Sequence, residues 1–299
     1  MILTNKNNIP RAFLRAIDIK EAAYNKGDAK YSVTGLMKSP RQLHLARKYW
    51  KEIEEDYSDK LDSWIGHLMH KALNEMESEG VLTERLSEEF CGVLVSGETD
   101  HYNPRKKRIR DYKYTSVYSW IYEGRNQDYE IQTNKYGYLF RSKGYDVQTL
   151  EICYFFKDWK RSEAQNNPKY PPTKILIKKF PIWDFNASKE YIESRVLLME
   201  STEHLSEDDL SECTPDEKWQ TDSVWKIFKE DGKKAIRGGV FDSELEAETR
   251  LIELRNEKPR DTFRIEELPG EAKKCLYWCN VSKFCKYAYG PKEGEGNGS

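Results

Sequence analysis

Residues 90–120 read FCGVLVSGETDHYNPRKKRIRDYKYTSVYSW. An apolar run from Val93 to Val95 leads into Gly97-Glu98-Thr99-Asp100, a strand-end pattern. Asn103-Pro104 is a strong turn dipeptide. The segments on either side therefore read as two strands joined by a turn. In the second strand, period-2 alternation places Asp111 and Lys113 on one face. Closing the hairpin about Asn103-Pro104 brings Asp100 near Asp111 across the ladder, with Glu98 as a spare acid.

Two carboxylates side by side repel unless a cation sits between them. Oxygen ligands from Asp100, Asp111 and the carbonyl of Tyr112, with a nitrogen from His70, suit Mg²⁺ or Mn²⁺ better than zinc. Lys113 beside them is able to orient an attacking water or offset phosphate charge, which is what metal-dependent phosphodiester hydrolysis needs. Between the strands, Arg105, Lys106, Lys107, Arg108 and Arg110 fall within six residues. Such a stripe serves to hold DNA phosphates, or it is a solvated hairpin tip.

Upstream, Ser39-Pro40 reads as N-cap and first turn of a helix continuing through Ile53. A second helix carries Gly66-x-x-x-His70, with Leu61, Trp64, Ile65, Leu68, Met69, Leu73 and Met76 as its apolar face, and stops at Gly80. Downstream, NQDYEIQTNKYGYLFRSKGYD reads as a helix ending near Gly144. Its Gln132-x-x-x-Tyr136 spacing puts both side chains on one face, where they can hydrogen-bond a phosphate or fix the lysine. Two strands, VQTLEICYFFKDW and KILIKKFPI, precede a helix over ASKEYIESRVLLMESTEH.

In order, helix-His, strand-Asp, strand-Asp-x-Lys and helix-Gln-x-x-x-Tyr over residues 66–136 resemble the PD-(D/E)XK nuclease superfamily. The likeness is to its RecB-like branch, which includes CRISPR-associated RecB-like exonucleases and phage-encoded nucleases. The resemblance implies an α/β fold, a restriction-endonuclease-like mixed β-sheet core flanked by helices. It implies metal-dependent DNA cleavage, and an exonuclease acting on DNA ends in recombination, repair or phage DNA metabolism. By the same resemblance His70, Asp100 and Asp111 bind metal, Lys113 is catalytic, and Gln132 and Tyr136 position phosphate or substrate. The rival reading is a catalytically idle DNA-binding or scaffolding module on the same fold. A recombination or replication protein would be a further partner.

Beyond about residue 204 the texture changes. The expected organisation is a nuclease core over 1–204, a small α/β unit (strand, Asp-Gly turn, strand, helix) over 205–272, and a cysteine-rich segment over 273–290. A disordered glycine-rich tail covers 291–299. Three of the six cysteines, Cys275, Cys279 and Cys285, crowd into eleven residues. That clustering points to metal rather than disulfides in a cytosolic chain. It resembles the C-terminal triplet of the branch's iron–sulfur members, but Ser39 stands where their fourth cysteine would be. Cys213 is the better fourth ligand, for structural Zn²⁺ or alternatively a [4Fe–4S] cluster. Cys91 and Cys153 read as core residues.

The 299 residues carry 49 Lys+Arg against 51 Asp+Glu, so bulk charge does not itself argue for a polyanion partner. The 13% aromatic content argues for a packed core. No apolar run approaches the roughly 20 residues of a membrane span, and the N-terminus has no apolar signal region. These features fit the cytoplasm of a bacterial or phage-infected cell.

Overall fold

A computed structural model describes residues 1–23, 25, 27–76, 83–122 and 126–288. The chain divides into two compact units, Met1–Leu210 and Ser211–Ser299. In chain order the first holds β1 (Ile2–Thr4), α1 (Arg11–Ala23), β2 (Tyr31–Ser32), α2 (Pro40–Lys48), β3 (Glu54–Asp56) and α3 (Tyr57–Met76). It continues with β4 (Arg85–Phe90), β5 (Val93–Glu98), β6 (His101–Asn103), β7 (Arg108–Thr115), α4 (Tyr118–Ile121) and α5 (Asn126–Ser142). It ends with β8 (Thr149–Phe156), α6 (Arg161–Asn166), β9 (Ile175–Phe180) and α7 (Phe185–Thr202). This is a mixed α/β architecture, as the sequence implied.

The site rests on a four-stranded sheet, ordered β6-β7-β8-β9, in which β7 and β8 run parallel and the other neighbours antiparallel. A parallel pair needs a crossover, and here the connection carries α5. Leu150, Ile152, Tyr154 and Phe156 alternate along β8 with 0% exposure each, so one face of the central strand is wholly core. Burying each such side chain contributes about 1.5–3 kcal/mol. Every residue of α5 from Gln132 to Phe140 is buried, polar ones included. Asn134 satisfies its amide by donating to the carbonyls of Glu130 and Pro181 and accepting from the Trp183 N–H.

Expectation and structure part company at several places. The segment 90–120 holds three strands, not two. Its first strand, β5, belongs to a separate sheet, β2-β5-β4, while the hairpin proper is β6 and β7. The helix begun at Ser39 stops at Lys48, and Glu54–Asp56 pairs in parallel with Ile2–Thr4 instead. The Ser39 hydroxyl accepts from the Gln42 N–H at 3.1 Å, the capping role its sequence position suggested. In α3 the predicted apolar face is only half-buried: Leu61, Trp64, Met69 and Leu73 are partly covered, with Phe13 of α1 edge-on to Trp64 at 5.4 Å. Gly66 is the buried residue of that helix, while Ile65, Leu68 and Met76 are exposed. The predicted stop of this helix at Gly80 lies outside the described residues. Cys91 is exposed, with φ +51° in the tight turn between β4 and β5, rather than core.

The first unit extends past residue 204 because α2 grips its end. Buried Arg41 donates to the carbonyls of Glu207 (2.7 Å) and Leu210. Among the described residues, no helix is long and apolar enough to cross a membrane.

The second unit contains α8 (Pro215–Lys218), β10 (Val224–Lys229), β11 (Ala235–Phe241), α9 (Glu244–Glu257), β12 (Phe263–Leu268) and α10 (Lys273–Tyr277). Its antiparallel sheet is ordered β11-β10-β12, with α9 packing Leu254 and Leu251 onto Ile227 and Phe263. The strand β12 was not read from sequence. The cysteine segment belongs to this same unit, and the predicted tail over 291–299 lies outside the described residues.

Candidate active site

The hairpin register places His101 opposite Arg110, so Asp100, just before β6, comes level with Asp111 within β7. The residue between Asp111 and Lys113 organises them. The Tyr112 N–H donates to Asp100 Oδ2 at 3.0 Å, and the Tyr112 carbonyl faces His70 Nε2 at 2.8 Å. His70 Nδ1 stands 3.1 Å from Asp100 Oδ1. Two acceptors facing both ring nitrogens favour the imidazolium form.

Electrostatics agree with that reading. Burial disfavours charge on His70, but the hydrogen bond and charge of Asp100, with Asp111 behind it, raise its pKa. Burial would likewise raise Asp100, yet His70 and Lys113 outweigh it and hold the carboxyl below its usual range. Asp111, 3% exposed, is pushed the other way. Burial and the neighbouring Asp100 charge raise it, against the pull of Lys113. Lys113 ion-pairs with Asp111 Oδ2, and the two acids overcome burial to raise its pKa.

Glycine at position 97 is a packing requirement. A Cβ there would lie 2.8 Å from Val33, 2.9 Å from Leu139 and 3.0 Å from Tyr136. The strand end that delivers Asp100 is thus seated directly against α5. At Gly66 the corresponding approach to Tyr114 would be an ordinary 3.6 Å contact.

From α5, Gln132 Nε2 donates to Asp111 Oδ1 at 3.2 Å and to the Tyr136 hydroxyl at 3.4 Å. The Gln-Tyr pair therefore steadies the acid rather than the lysine. The ring of Tyr129 lies 5.6 Å from Lys113 Nζ. Sequence reading passed over Tyr129, although it sits three residues before Gln132 on the same helical face. His67 was also passed over. It borders both clefts at the site. One of about 380 Å³ includes His67, His70, Lys71, Thr99, Asp100 and Tyr136, and one of about 370 Å³ includes Lys20, His67, His70, Lys113 and Tyr114. The spare acid Glu98 is exposed and pairs with Arg85 at 2.6 Å.

The donor set of Asp100, Asp111, the Tyr112 carbonyl and His70 is of the kind a hard cation takes. Among the described residues, however, no three His, Cys, Asp or Glu side chains stand in a metal-coordinating arrangement. At this site the protein's own cations, His70 and Lys113, hold the carboxylates.

The basic run does not form one exposed stripe. Arg105 and Lys106 are exposed at the tip, where the Lys106 N–H donates to Asn103 Oδ1. Lys107 pairs with Asp146 at 2.6 Å. Arg108 and Arg110 turn inward and share buried Glu151 of β8, at 3.1 and 2.6 Å. Strand alternation sends them to the face opposite Asp111, where one carboxylate from the parallel neighbour pairs with both.

In the second unit, α8 and α10 pack together, and Gln220 bridges to Ala272. This brings the Cys213 end toward Cys275. Burial raises the Cys275 thiol pKa, and proximity of Cys279, Cys213 and Cys285 raises it further. No disulfide joins them.

α5 also buries a second lysine. Lys135, 1% exposed, donates to the Val33 carbonyl at 3.4 Å and lies 5.4 Å from the Tyr191 ring. Among the described residues no carboxylate pairs with it. Burial, and then the charge of Arg195, lower its pKa to about 7, against a weak opposing pull from Asp128.

No known family model matches this chain, and no curated protein is similar to it. Among solved structures, the chain is similar to SSO0001, at 15% identity over 62% of this chain and 84% of that one, with a TM-score of 0.40. It is also similar to a phage-related exonuclease from Haemophilus somnus 129PT, at 15% identity over 64% and 79% of the two chains, with a TM-score of 0.31. Likenesses this distant say nothing of chemistry, which rests on the side chains themselves.

Proposed function

We propose that this protein is a divalent-metal-dependent deoxyribonuclease on a restriction-endonuclease-like core, acting as an exonuclease on DNA ends. The observation that carries the reading is the convergence of His70, Asp100, Asp111, Lys113 and Gln132 around Tyr112. These residues come from α3, the β5–β6 junction, β7 and α5, and they form an acid, acid, lysine cluster with its own hydrogen-bond support.

Asp100, Asp111 and the Tyr112 carbonyl would hold Mg²⁺ or Mn²⁺, joined by His70 once its imidazolium gives up a proton to the incoming cation; the bound metal would polarise the phosphate and lower the pKa of water. Gln132 fixes the Asp111 carboxylate through Oδ1, and Tyr136 fixes Gln132 in turn. Lys113 keeps its proton because two acids face it, so it acts as a fixed positive charge beside the phosphate rather than as a base. The intact lysine favours an enzyme over an idle DNA-binding module. In that module the acids and lysine would be bystanders.

The second unit, in this reading, carries a separate structural centre on Cys213, Cys275, Cys279 and Cys285. Zinc is the favoured occupant and a [4Fe–4S] cluster the alternative. Closing a loop of that length through a metal removes unfolded-state entropy. Elemental analysis of the purified protein decides between zinc and iron with sulfide, and neither metal would refute the centre. The activity is tested with end-labelled linear DNA and closed circular DNA in Mg²⁺, Mn²⁺ or EDTA. Expected are shortening of the linear DNA with metal and no cleavage in EDTA. Full cleavage in EDTA would overturn metal dependence.

A further inference from the structure

Five and nine residues beyond Lys113, two tyrosines stand in solvent. Tyr118 is 60% and Tyr122 73% exposed. Their ring centroids are 5.9 Å apart and their planes within 13° of parallel. Aromatic rings are costly to leave in water, and these two, at the start of α4 and at its C-terminal cap, flank a helix that is otherwise anchored. Ser116 Oγ and the Val117 N–H both donate to the Asp158 carboxylate, at 2.5 and 2.8 Å. On the inner side of α4, Trp120 meets Tyr154 and Phe156 edge-on, at 5.7 and 6.4 Å. The outward pair is therefore held in place.

Location and charge both point to one kind of ligand. β7 carries Asp111 and Lys113 and runs into α4 with only Ser116 and Val117 between. Tyr118 therefore lies within about 18 Å of Lys113, at most 3.3–3.6 Å per residue, a reach of a few nucleotides. The Lys157 N–H donates to the Thr115 carbonyl at 2.9 Å, which sets exposed Lys157 beside the start of α4, its ammonium paired with Asp62, and Lys160 and Arg161 follow it in the chain, both exposed. Flat aromatic faces bordered by basic side chains suit a single nucleic-acid strand, whose unstacked bases find a π-face and whose phosphates find cations.

We propose that Tyr118 and Tyr122 form a stacking platform for unpaired bases of the strand being cut, so that the enzyme engages single-stranded or frayed DNA. This rests on the nuclease reading above. Binding without turnover separates the two. Fluorescence anisotropy, with Ca²⁺ in place of Mg²⁺, compares a labelled oligothymidylate with a blunt duplex.

The variant Tyr118→Ala/Tyr122→Ala should bind the oligothymidylate roughly tenfold more weakly or worse, the size of a lost base–aromatic stack. Binding of the duplex should be unchanged, and so should the thermal melt. Tyr118→Phe/Tyr122→Phe should restore single-strand binding to within about twofold, because stacking needs the ring and not the hydroxyl. Equal affinity of the alanine variant and wild type overturns the platform alone, as does an equal loss on single strand and duplex. A wild type that binds neither DNA and cleaves neither overturns the nuclease reading, and the platform with it.

Discussion

Lys113 and Lys135 lie on adjoining elements of one unit and are handled in opposite ways. Lys113 on β7 faces two carboxylates and an aromatic ring, and its charge is held more firmly than in water. Lys135 on α5 faces a carbonyl and an aromatic ring, with no acid beside it, and burial drives it toward the neutral amine. Burial alone therefore does not decide the state of an interior lysine. Partners do, and the fold places them only on the β7 side. A charge fixed where acids already converge is useful to a reacting phosphate. A lysine without an acid is a cost in stability.

The largest expected effect tests the functional side of that contrast. Lys113→Ala should lower the rate of DNA cleavage by roughly a hundredfold to a thousandfold, as loss of one preorganised charge typically does. DNA binding should survive. Lys135→Met, measured alongside, should cleave at nearly the wild-type rate. Near-native turnover by the Lys113 variant would show the site misplaced.

The stability side comes next. The folded pKa of Lys135 lies below its unfolded value of 10.5, so the unfolded chain binds the extra proton between about pH 7 and pH 10. Stability should therefore rise with pH across that window, with the penalty fully present below pH 7. Lys135→Met should flatten the rise and add on the order of 3 kcal/mol at neutral pH. Urea melts at pH 7 and pH 9 read both effects. A parallel pH slope in wild type and variant would show that Lys135 has a partner after all.

Gln132→Ala should cost about tenfold in turnover, since a hydrogen bond to a charged group is worth about 1.5–3 kcal/mol and Asp111 keeps its lysine. Its signature is a shift of the acidic limb of the pH–rate profile, which a merely structural loss would leave in place. The smallest effect belongs to the hairpin tip. Replacing Arg105 and Lys106 by alanine should reduce the salt dependence of DNA affinity by about two counterions. Replacing Arg108 should leave the slope alone and lower the melting temperature, because Glu151 loses one of its two buried partners.

Those outcomes also mark what the sequence could and could not say. The Asp100–Asp111 juxtaposition was legible because a turn dipeptide and a period of two fix register locally. The inward turn of Arg108 and Arg110 was not, because Glu151 arrives from a strand forty-one positions away in the pairing. The strands β4 and β12, RLSEEF and FRIEEL, carry three charges each and lack a clean apolar alternation. Their pairing is decided by neighbours. The face of α3 was over-read for the opposite reason. Leu68 and Met76 keep helical spacing, yet among the described residues both stay exposed. Tyr129 needed only one more turn of the α5 helix to be noticed.

The parallel pairing of β7 with β8 also bears on how the molecule reaches its native state. The β6–β7 hairpin closes through a four-residue turn, so the two acids can meet early and cheaply. Each of the eight β7–β8 pairs spans forty-one positions, and loop closure must precede any reward from such contacts. Gln132 and Tyr129 ride on the helix inside that loop. The acids and Lys113 should therefore assemble first, without Gln132 on Asp111 or Tyr129 against Lys113 until the crossover docks, which makes α5 docking the step that commits this unit to its fold.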